Sequence, residues 1–133
     1  MLINLSNHSL SSWSDKQKIV AQQQFGQIVD LAFPSIQPEA GLKQVKSLAT
    51  AYVQKCLEML GDKATDEHAR PIQQAVHIMG EMTFVYQFIR QISEYGILCV
   101  ASTSNRIVET EENGRKISRF EFVRFRAFTN ELF

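Results

Sequence analysis

Apolar residues along the chain follow two different spacings, and the two alternate from one segment to the next. Short apolar runs are typical of buried strands, whereas apolar residues that recur every three or four positions are typical of amphipathic helices. The predicted strands are 2–5, 28–31, 75–79 and 97–101, and the predicted helices are 15–25, 41–60 and 82–92. The pattern therefore predicts the order β-α-β-α-β-α-β, which is typical of a parallel sheet with helices on both faces.

Residues with strong local preferences mark the ends of these elements. Ser14 followed by Gln17 matches a capping box, and Gly26 occupies the position after a helix where glycine is favoured. Pro34 ends the second strand because proline cannot donate to a β-ladder. The charged segment 62–71 is predicted to be an exposed connection.

The last third of the chain has a different pattern. Two extended runs, 107–108 and 117–128, flank Asn113-Gly114, and this dipeptide between extended runs favours a hairpin with a type I′ turn. We expect the hairpin, 106–128, to extend the sheet or to pair with a partner subunit. The predicted fold class is α/β: a single Rossmann-like three-layer domain, residues 1–133, with a mostly parallel sheet and a C-terminal β-hairpin.

Composition narrows the class of protein. The chain has 133 residues, 44% of them apolar, which is enough for one core. Lys plus Arg equals Asp plus Glu at 14 each, so no net field attracts long nucleic acid, and an anionic ligand needs a local patch. The sequence begins without a basic segment and a long apolar stretch, and nothing approaches about 18 uninterrupted apolar residues. We therefore expect a cytoplasmic protein that does not enter a membrane.

The sequence lacks the motifs of metal sites and common cofactors. There is no Gly-x-Gly-x-x-Gly after the first strand, no Walker loop, no Cys-x-x-Cys pair and no His-Glu-x-x-His. The three histidines and two cysteines do not have the spacing of metal ligands. Cys56 and Cys99 fall in apolar patterns, so we expect two small buried thiols rather than a disulfide. Neither a metal nor a cofactor is predicted.

Polar residues gather in three segments that follow predicted strands. In a parallel sheet such segments share one edge, and ligands bind there where neighbouring connections run to opposite faces. With the strand order 2-1-3-4, that point lies between the first and third strands. The candidate ligand-binding segments are Ser6-Asn7-His8-Ser9, Gly80-Glu81-Met82-Thr83 and the loop Ser102-Thr103-Ser104-Asn105-Arg106. Hydroxyls, amides and helix N-termini favour phosphate, although small polar residues are also common in ordinary turns.

Five residues near this edge have individual interpretations. Gly80 would let a ligand approach the backbone, and Arg106 could offer two parallel hydrogen bonds to a phosphate. His8 is interpreted either as a ligand-binding or acid–base residue or as an ordinary exposed histidine. Glu81 would bind a ribose hydroxyl or favour the start of the third helix. His77 lies in an apolar strand pattern and is interpreted as a hydrogen-bonded core residue.

Four parts of the chain together resemble a known family. They are Leu2-Ile3-Asn4-Leu5-Ser6-Asn7-His8, the helix after it, the strand Ile28-Val29-Asp30-Leu31 with the proline that follows it, and Val76-His77-Ile78-Met79-Gly80-Glu81-Met82-Thr83. In the layout of residues 1–106 the chain resembles the small stand-alone CRISPR-associated Rossmann-fold proteins related to CARF domains. That family includes ring nucleases and cyclic oligoadenylate sponges.

The resemblance implies a homodimer that acts in prokaryotic antiviral signalling. Such a dimer binds a cyclic oligoadenylate across its two-fold axis, here through the three candidate ligand-binding segments given above. For a ring nuclease it implies metal-independent attack of a ribose 2′-hydroxyl on the adjacent phosphate. Arg106 is then the candidate stabiliser of the developing charge, and His8 is the candidate proton donor or acceptor. No lysine lies in the three segments, so the choice between cleavage and binding alone stays open.

Two other functions stay open from the sequence. The protein could bind or process a mononucleotide or sugar phosphate within one subunit, or it could be a structural subunit whose strand 117–128 pairs with a partner. The run from Arg119 to Arg126 mixes arginine with aromatic residues, as single-strand nucleic-acid platforms do. Because the net charge is zero, we interpret this run as a partly covered hairpin strand.

Overall fold

The computed structural model describes residues 1–61 and 73–129. Its strands are β1 (Leu2–Ser6), β2 (Ile28–Asp30), β3 (Ala75–Met79), β4 (Leu98–Thr110) and β5 (Lys116–Ala127). Its helices are α1 (Asp15–Phe25), α2 (Leu42–Leu60) and α3 (Met82–Ile92), with short 3-10 turns at Leu10–Ser12 and Ser93–Tyr95. The predicted α/β class is therefore confirmed, whereas the predicted connection 62–71 lies outside the described residues.

The strands form one mixed sheet in the order β2-β1-β3-β4-β5. β1 pairs in parallel with β2 and β3, and β3 pairs in parallel with β4, whereas β5 runs antiparallel to β4. The first four strands thus have the order 2-1-3-4 that the sequence predicts. Because β2 lies on one side of β1 and β3 on the other, the topological switch lies between β1 and β3.

Apolar layers form on both faces of the sheet. All five residues of β1 are buried, as expected for a central parallel strand. Alternate residues point to opposite faces, so Ile3 joins α2 and α3 in one layer while Leu2 joins α1, Trp13 and Phe125 in the other. The side chain of Asn4 points to the same face as Leu2, which is the face that α1 covers.

Local capping places α1 as predicted. Ser14 Oγ accepts a hydrogen bond from the Gln17 N–H at 3.2 Å, which satisfies one of the free donors of the first turn. The helix ends at Gly26, whose φ of 77° carries a penalty for residues with a Cβ. These two local preferences explain why the predicted helix 15–25 coincides with Asp15–Phe25.

The cysteines behave as expected from the sequence. Cys56 and Cys99 are free and buried, and burial raises the pKa of each thiol to about 12.

Among the described helices, none is both long and apolar enough to cross a membrane. In the same part of the chain, no three His, Cys, Asp or Glu side chains are grouped so that they could hold a metal ion.

The fourth strand differs from the prediction. β4 continues to Thr110, so the segment Ser102–Arg106 belongs to a strand and the prediction of a loop there was wrong. This part of β4 pairs with β5 along its length, with one irregularity between Thr103 and Ser104. Small polar residues adopt the extended conformation here because β5 supplies their hydrogen-bond partners. The hairpin therefore begins within β4, and it leaves the parallel sheet after Val100, which makes the last pair with β3.

The hairpin turn also differs from the predicted type. A type I′ turn needs positive φ at both central residues, but in the described residues only glycines have positive φ, so Asn113 excludes it. The Gly114 N–H donates to the Glu111 carbonyl at 2.9 Å, and the Glu111 N–H donates to the Arg115 carbonyl at 2.8 Å. The result is a three-residue loop that ends in a left-handed glycine, with φ of 81° at Gly114.

Candidate functional site

The candidate site lies at the carboxyl ends of β1 and β3, on the face that α1 covers. Asn4 lies opposite His77 in the sheet, and Ser102 follows two residues after the Val100 that pairs with His77. Residues two apart in a strand share a face, so Asn4, Ser6, His77 and Ser102 form one group, which we call the polar cluster. Asn4 is 1% exposed and His77 is 2% exposed.

Hydrogen bonds in the polar cluster converge on Asn4 Oδ1, which accepts from Ser6 Oγ at 2.8 Å on one side and from His77 on the other. Asn4 Oδ1 is an acceptor and lies 2.9 Å from His77 Nδ1, so this ring nitrogen carries the proton. His77 Nε2 then accepts from Ser102 Oγ at 2.7 Å, and Ser102 Oγ accepts from Gln17 Nε2 at 2.9 Å. The imidazole is therefore neutral, and each of its nitrogens has one partner.

Aromatic rings close the cluster from solvent. The indole of Trp13 meets the His77 ring edge-on with centroids 5.1 Å apart, and the Phe125 ring lies at 5.7 Å. Burial, followed by the effect of nearby His8, lowers the pKa of His77 to about 4. A ligand could not reach this imidazole without displacing a ring, so His77 acts as the hydrogen-bonded core residue that the sequence predicts.

The other end of Asn4 holds the loop after β1. Asn4 Nδ2 donates to the His8 carbonyl at 2.7 Å and to Asp30 Oδ1 at 2.9 Å. The His8 N–H donates to Ser6 Oγ at 3.3 Å, and the Leu10 N–H donates to the Asp30 carboxylate at 3.1 Å. In the described residues no buried side-chain nitrogen or oxygen lacks a partner. The loop is thus fixed from beneath by β1 and β2.

The outer side of this loop carries polar side chains, of which Ser9 is hydrogen-bonded to Ser11 Oγ at 2.7 Å. The side chains of Asn7, His8 and Ser9 are exposed. Beside them, at the carboxyl ends of β1 and β2, lies an open cleft of about 350 Å³, lined by Asn4, Ser6, Asn7, Ser9, Asp30, Leu31, Ala32 and Phe33. The polar side chains and the cleft together form a surface that could bind a small polar ligand.

Phe33 separates the cleft from the loop after β3. A Cβ added to Gly80 would overlap the phenyl ring of Phe33, so the ring occupies the space in front of the glycine. The ring packs edge-on against Phe84, with centroids 5.1 Å apart. The space that Gly80 leaves is therefore filled by Phe33, whereas the sequence suggested that a ligand would approach the backbone there. The cleft lies toward β2 rather than between β1 and β3.

Glu81 caps α3. Its carboxylate accepts hydrogen bonds from the Phe84 N–H at 2.8 Å, the Thr83 N–H at 3.1 Å and Thr83 Oγ1 at 2.6 Å. These bonds, with the Thr83 hydroxyl first, lower the pKa of Glu81. Of the two sequence-based interpretations of Glu81, the structure shows the helix start. Met82, the third residue of this predicted segment, is exposed.

The third predicted segment lies along β4 and divides between the site and the hairpin. Ser102 belongs to the polar cluster, and Thr103 Oγ1 donates to a backbone carbonyl of β5 at 3.1 Å. Ser104, Asn105 and Arg106 are exposed. Arg106 donates to a serine hydroxyl of β5 at 3.1 Å and stands six residues beyond the last β3 pair, which is about 20 Å of extended strand. The structure therefore does not group Arg106 with the polar cluster.

Sequence reasoning missed three contributors to the site. Asn4 and Asp30 lie within predicted strands, and Gln17 lies in a predicted helix. The candidates predicted from the sequence come from the segments that follow strands, so they do not include these three residues. The signal that could have found Asn4 is its position with Ser6 on alternate residues of an otherwise apolar strand, because a polar residue on a buried face needs a partner.

The fold and site together define a small α/β domain with a mixed five-stranded sheet, a buried polar cluster and an exposed polar loop at the carboxyl edge. Over residues 1–126 the chain matches the family described as Uncharacterized protein MJ1673 family, and it belongs to that family. No curated protein and no solved structure matches the chain.

Proposed function

We propose that the protein binds a cyclic oligoadenylate at the carboxyl edge of its sheet, as a sponge or a metal-independent ring nuclease in prokaryotic CRISPR antiviral signalling. The proposal takes the domain as Rossmann-like and the protein as a homodimer. The observation that carries it is the loop of Asn7, His8 and Ser9, which presents three exposed polar side chains at the end of the central strand.

The buried hydrogen bonds would prepare this loop for a ligand. Asn4 holds the carbonyl of His8 and Ser6 holds its N–H, at 2.7 and 3.3 Å. Because the backbone is already ordered, less conformational entropy is lost when a ligand binds the side chains. The strand order supports the same location, since ligands of open α/β sheets bind outside the carboxyl ends next to the switch between strands.

His8 is the residue of this loop that could also move a proton. Its imidazole is exposed, and an imidazole can both accept and donate a proton. In a ring nuclease it would accept the proton of the attacking 2′-hydroxyl or donate one to the leaving 5′-oxygen. Arg106, the other proposed catalytic residue, would stabilise charge on the phosphate, but it stands on the hairpin.

One observation favours a second candidate function. The cleft of about 350 Å³ lies within a single chain and includes the carboxylate of Asp30, and clefts of this size hold small ligands. A mononucleotide or sugar phosphate bound by one subunit would suit it. A cyclic ligand across a dimer axis would instead depend on the exposed loop.

Thermal unfolding in the presence of cyclic tri-, tetra- and hexa-adenylate tests the proposal, with AMP and ATP as comparison ligands. A ligand at 100 times its dissociation constant stabilises the fold by about 2.7 kcal/mol. Stabilisation by one ring size supports the proposal, and chromatography of that mixture then separates a nuclease from a sponge. Stabilisation by AMP or ATP alone would favour the second candidate, and no stabilisation by any of the five would overturn both.

The His8→Ala variant locates the site. We expect this variant to bind the stabilising cyclic oligoadenylate about tenfold or more weakly, because it loses one hydrogen bond to a charged group. If the protein cleaves the ligand, the variant should also cleave it more slowly. Gln24→Ala serves as the control, because Gln24 is exposed on α1 outside the loop. Equal affinity of the wild type and His8→Ala would remove the loop from the binding site.

A further inference from the structure

The hairpin arm exposes apolar residues along a free strand edge. β5 is the last strand of the sheet, and no strand among the described residues pairs with its outer edge. Phe120 is 70% exposed, and Val108, Ile117 and Val123 on the same hairpin are also exposed. An isolated two-stranded ribbon is marginally stable in water, and proteins usually cover or blunt long edges that carry apolar side chains. The arm therefore has the features of a surface that is covered in the functional protein.

The backbone of β5 has hydrogen-bonding groups available on that edge. In an antiparallel pair, hydrogen-bonded and non-hydrogen-bonded residue pairs alternate. The Glu111 N–H donates to the Arg115 carbonyl next to the turn, so the alternation turns the N–H and C=O groups of Ser118, Phe120 and Phe122 away from β4. These three residues could each pair with another strand.

We propose that this edge pairs with the β5 edge of a second copy of the chain, antiparallel, with the two-fold axis at Phe120. In that register Phe120 lies opposite its own copy, and the two residues exchange both backbone hydrogen bonds. Arg119 of each copy lies opposite Glu121 of the other, which gives two symmetric ion pairs on one face. Val123 is the β5 residue that has no partner on β4, so the regular paired segment is 118–122. The two sheets become one continuous sheet.

Charge disfavours the two registers that are shifted by one residue. A two-fold axis perpendicular to the joined sheet must lie where one residue faces its own copy. Directly opposed side chains of an antiparallel pair share a face, whereas successive residues of one strand point to opposite faces. With the axis at Arg119 or at Glu121, two like charges would face each other at the centre. With the axis at Phe120, no like charges face each other within the regular segment 118–122. Within one chain Arg119 already lies 3.1 Å from Glu109 and 3.4 Å from Glu121, so its guanidinium is on the face the ion pairs need.

This pairing would also give Arg106 a defined place. Arg106 lies directly opposite Phe120 on β4, so the two arginines would flank the two phenyl rings on one face of the joined sheet. Three strand spacings separate them, or about 14 Å.

Sedimentation analysis of the protein without nucleotide tests the pairing. We expect the wild type to be a dimer and the Arg119→Glu and Glu121→Arg variants each to be monomers, because each places like charges opposite each other twice. An equimolar mixture of the two variants should again form dimers. In the mixed pair the introduced glutamate of one chain faces the introduced arginine of the other, and the unchanged Glu121 of the first chain faces the unchanged Arg119 of the second.

The control for this experiment is a charge reversal away from the edge. Arg90→Glu, at an exposed position on α3, should stay a dimer. Wild-type monomers at millimolar concentration, or a mixture that stays monomeric while both variants are folded, would overturn the proposal.

A second variant tests the backbone contacts directly. Ser118→Pro removes an N–H that points away from β4, so it should abolish the dimer while the unfolding temperature of the monomer changes little. A Ser118→Pro variant that remains a dimer would place the interface elsewhere. Because these experiments contain no nucleotide, their failure is distinct from failure of the proposed ligand, which the unfolding experiments with cyclic oligoadenylates report separately.

Discussion

His77 Nε2 and Ser102 Oγ lie 2.7 Å apart, and this hydrogen bond joins β3 to β4 just beyond the last pair of the parallel sheet. Together with Asn4 the two residues have the order of a serine, a neutral base and an orienting amide, which resembles the arrangement that activates serine hydrolases. Here Gln17 donates to the hydroxyl and aromatic rings cover the imidazole. The cluster therefore serves to position the strands and the loop after β1.

Replacing His77 should destabilise the fold strongly. His77→Ala leaves Asn4 Oδ1 and the Ser102 hydroxyl each short of a partner in a buried site and opens a cavity beside Trp13. We expect a loss of about 3 kcal/mol in the free energy of unfolding, measured with urea. His8→Ala, at an exposed histidine, should change that free energy by no more than about 0.5 kcal/mol. Similar values for the two variants would contradict the structural role of His77.

The stability of the protein should fall in mild acid because of His77. Its pKa is about 4 in the folded protein against a usual value of 6.5, so the unfolded chain binds this proton more tightly. The contribution is complete above pH 6.5 and is lost as the pH falls from 6.5 toward 4, by about 3 kcal/mol in all.

Urea unfolding of the wild type and of His77→Gln across this pH range isolates the effect from other titrating groups. The stability advantage of the wild type should shrink steadily between pH 6.5 and pH 4. An advantage that is independent of pH would mean that the imidazole is not held neutral by the fold.

The contact between Phe33 and Gly80 should not tolerate a methyl group. In Gly80→Ala the new Cβ would overlap the Phe33 ring, so Phe33 must leave its place against Phe84. We expect a loss of about 1–3 kcal/mol in unfolding free energy. Gly41→Ala, where no atom lies within 4 Å of the added Cβ, should cost less than about 1 kcal/mol. The cost of Gly80→Ala should also fall in a Phe33→Ala background, and full additivity of the two would exclude the contact as its cause.

Arg106 should affect ligand binding and leave stability unchanged. Its side chain is exposed on the hairpin and donates a hydrogen bond to Ser118 Oγ at 3.1 Å. Arg106→Ala should therefore weaken binding of the stabilising cyclic oligoadenylate about tenfold or more while the unfolding temperature of the free protein stays nearly constant. Arg90→Ala, at an exposed arginine on α3, is the control. Unchanged affinity in Arg106→Ala would remove Arg106 from the site.

Local chemistry alone determined much of the fold of this protein. The helix bounds follow from residues within a few positions of each end, such as Ser14 and Gly26 for α1. The parallel strands follow from apolar runs that need both faces covered and that alternate with helices. These features depend on short-range interactions and on hydrophobic spacing, both of which are visible in the sequence.

Contacts between distant parts of the chain decided the candidate site. Ser102 to Arg106 favour a loop by local preference, but pairing with β5 extends them into a strand. The Gly80 face was filled by Phe33, 47 residues earlier in the chain, and Asn4 found its partners in Asp30 and His77. Small polar residues and glycine have weak local preferences, so the free energy of burying their polar groups or covering their backbone depends on which neighbours the tertiary structure brings to them.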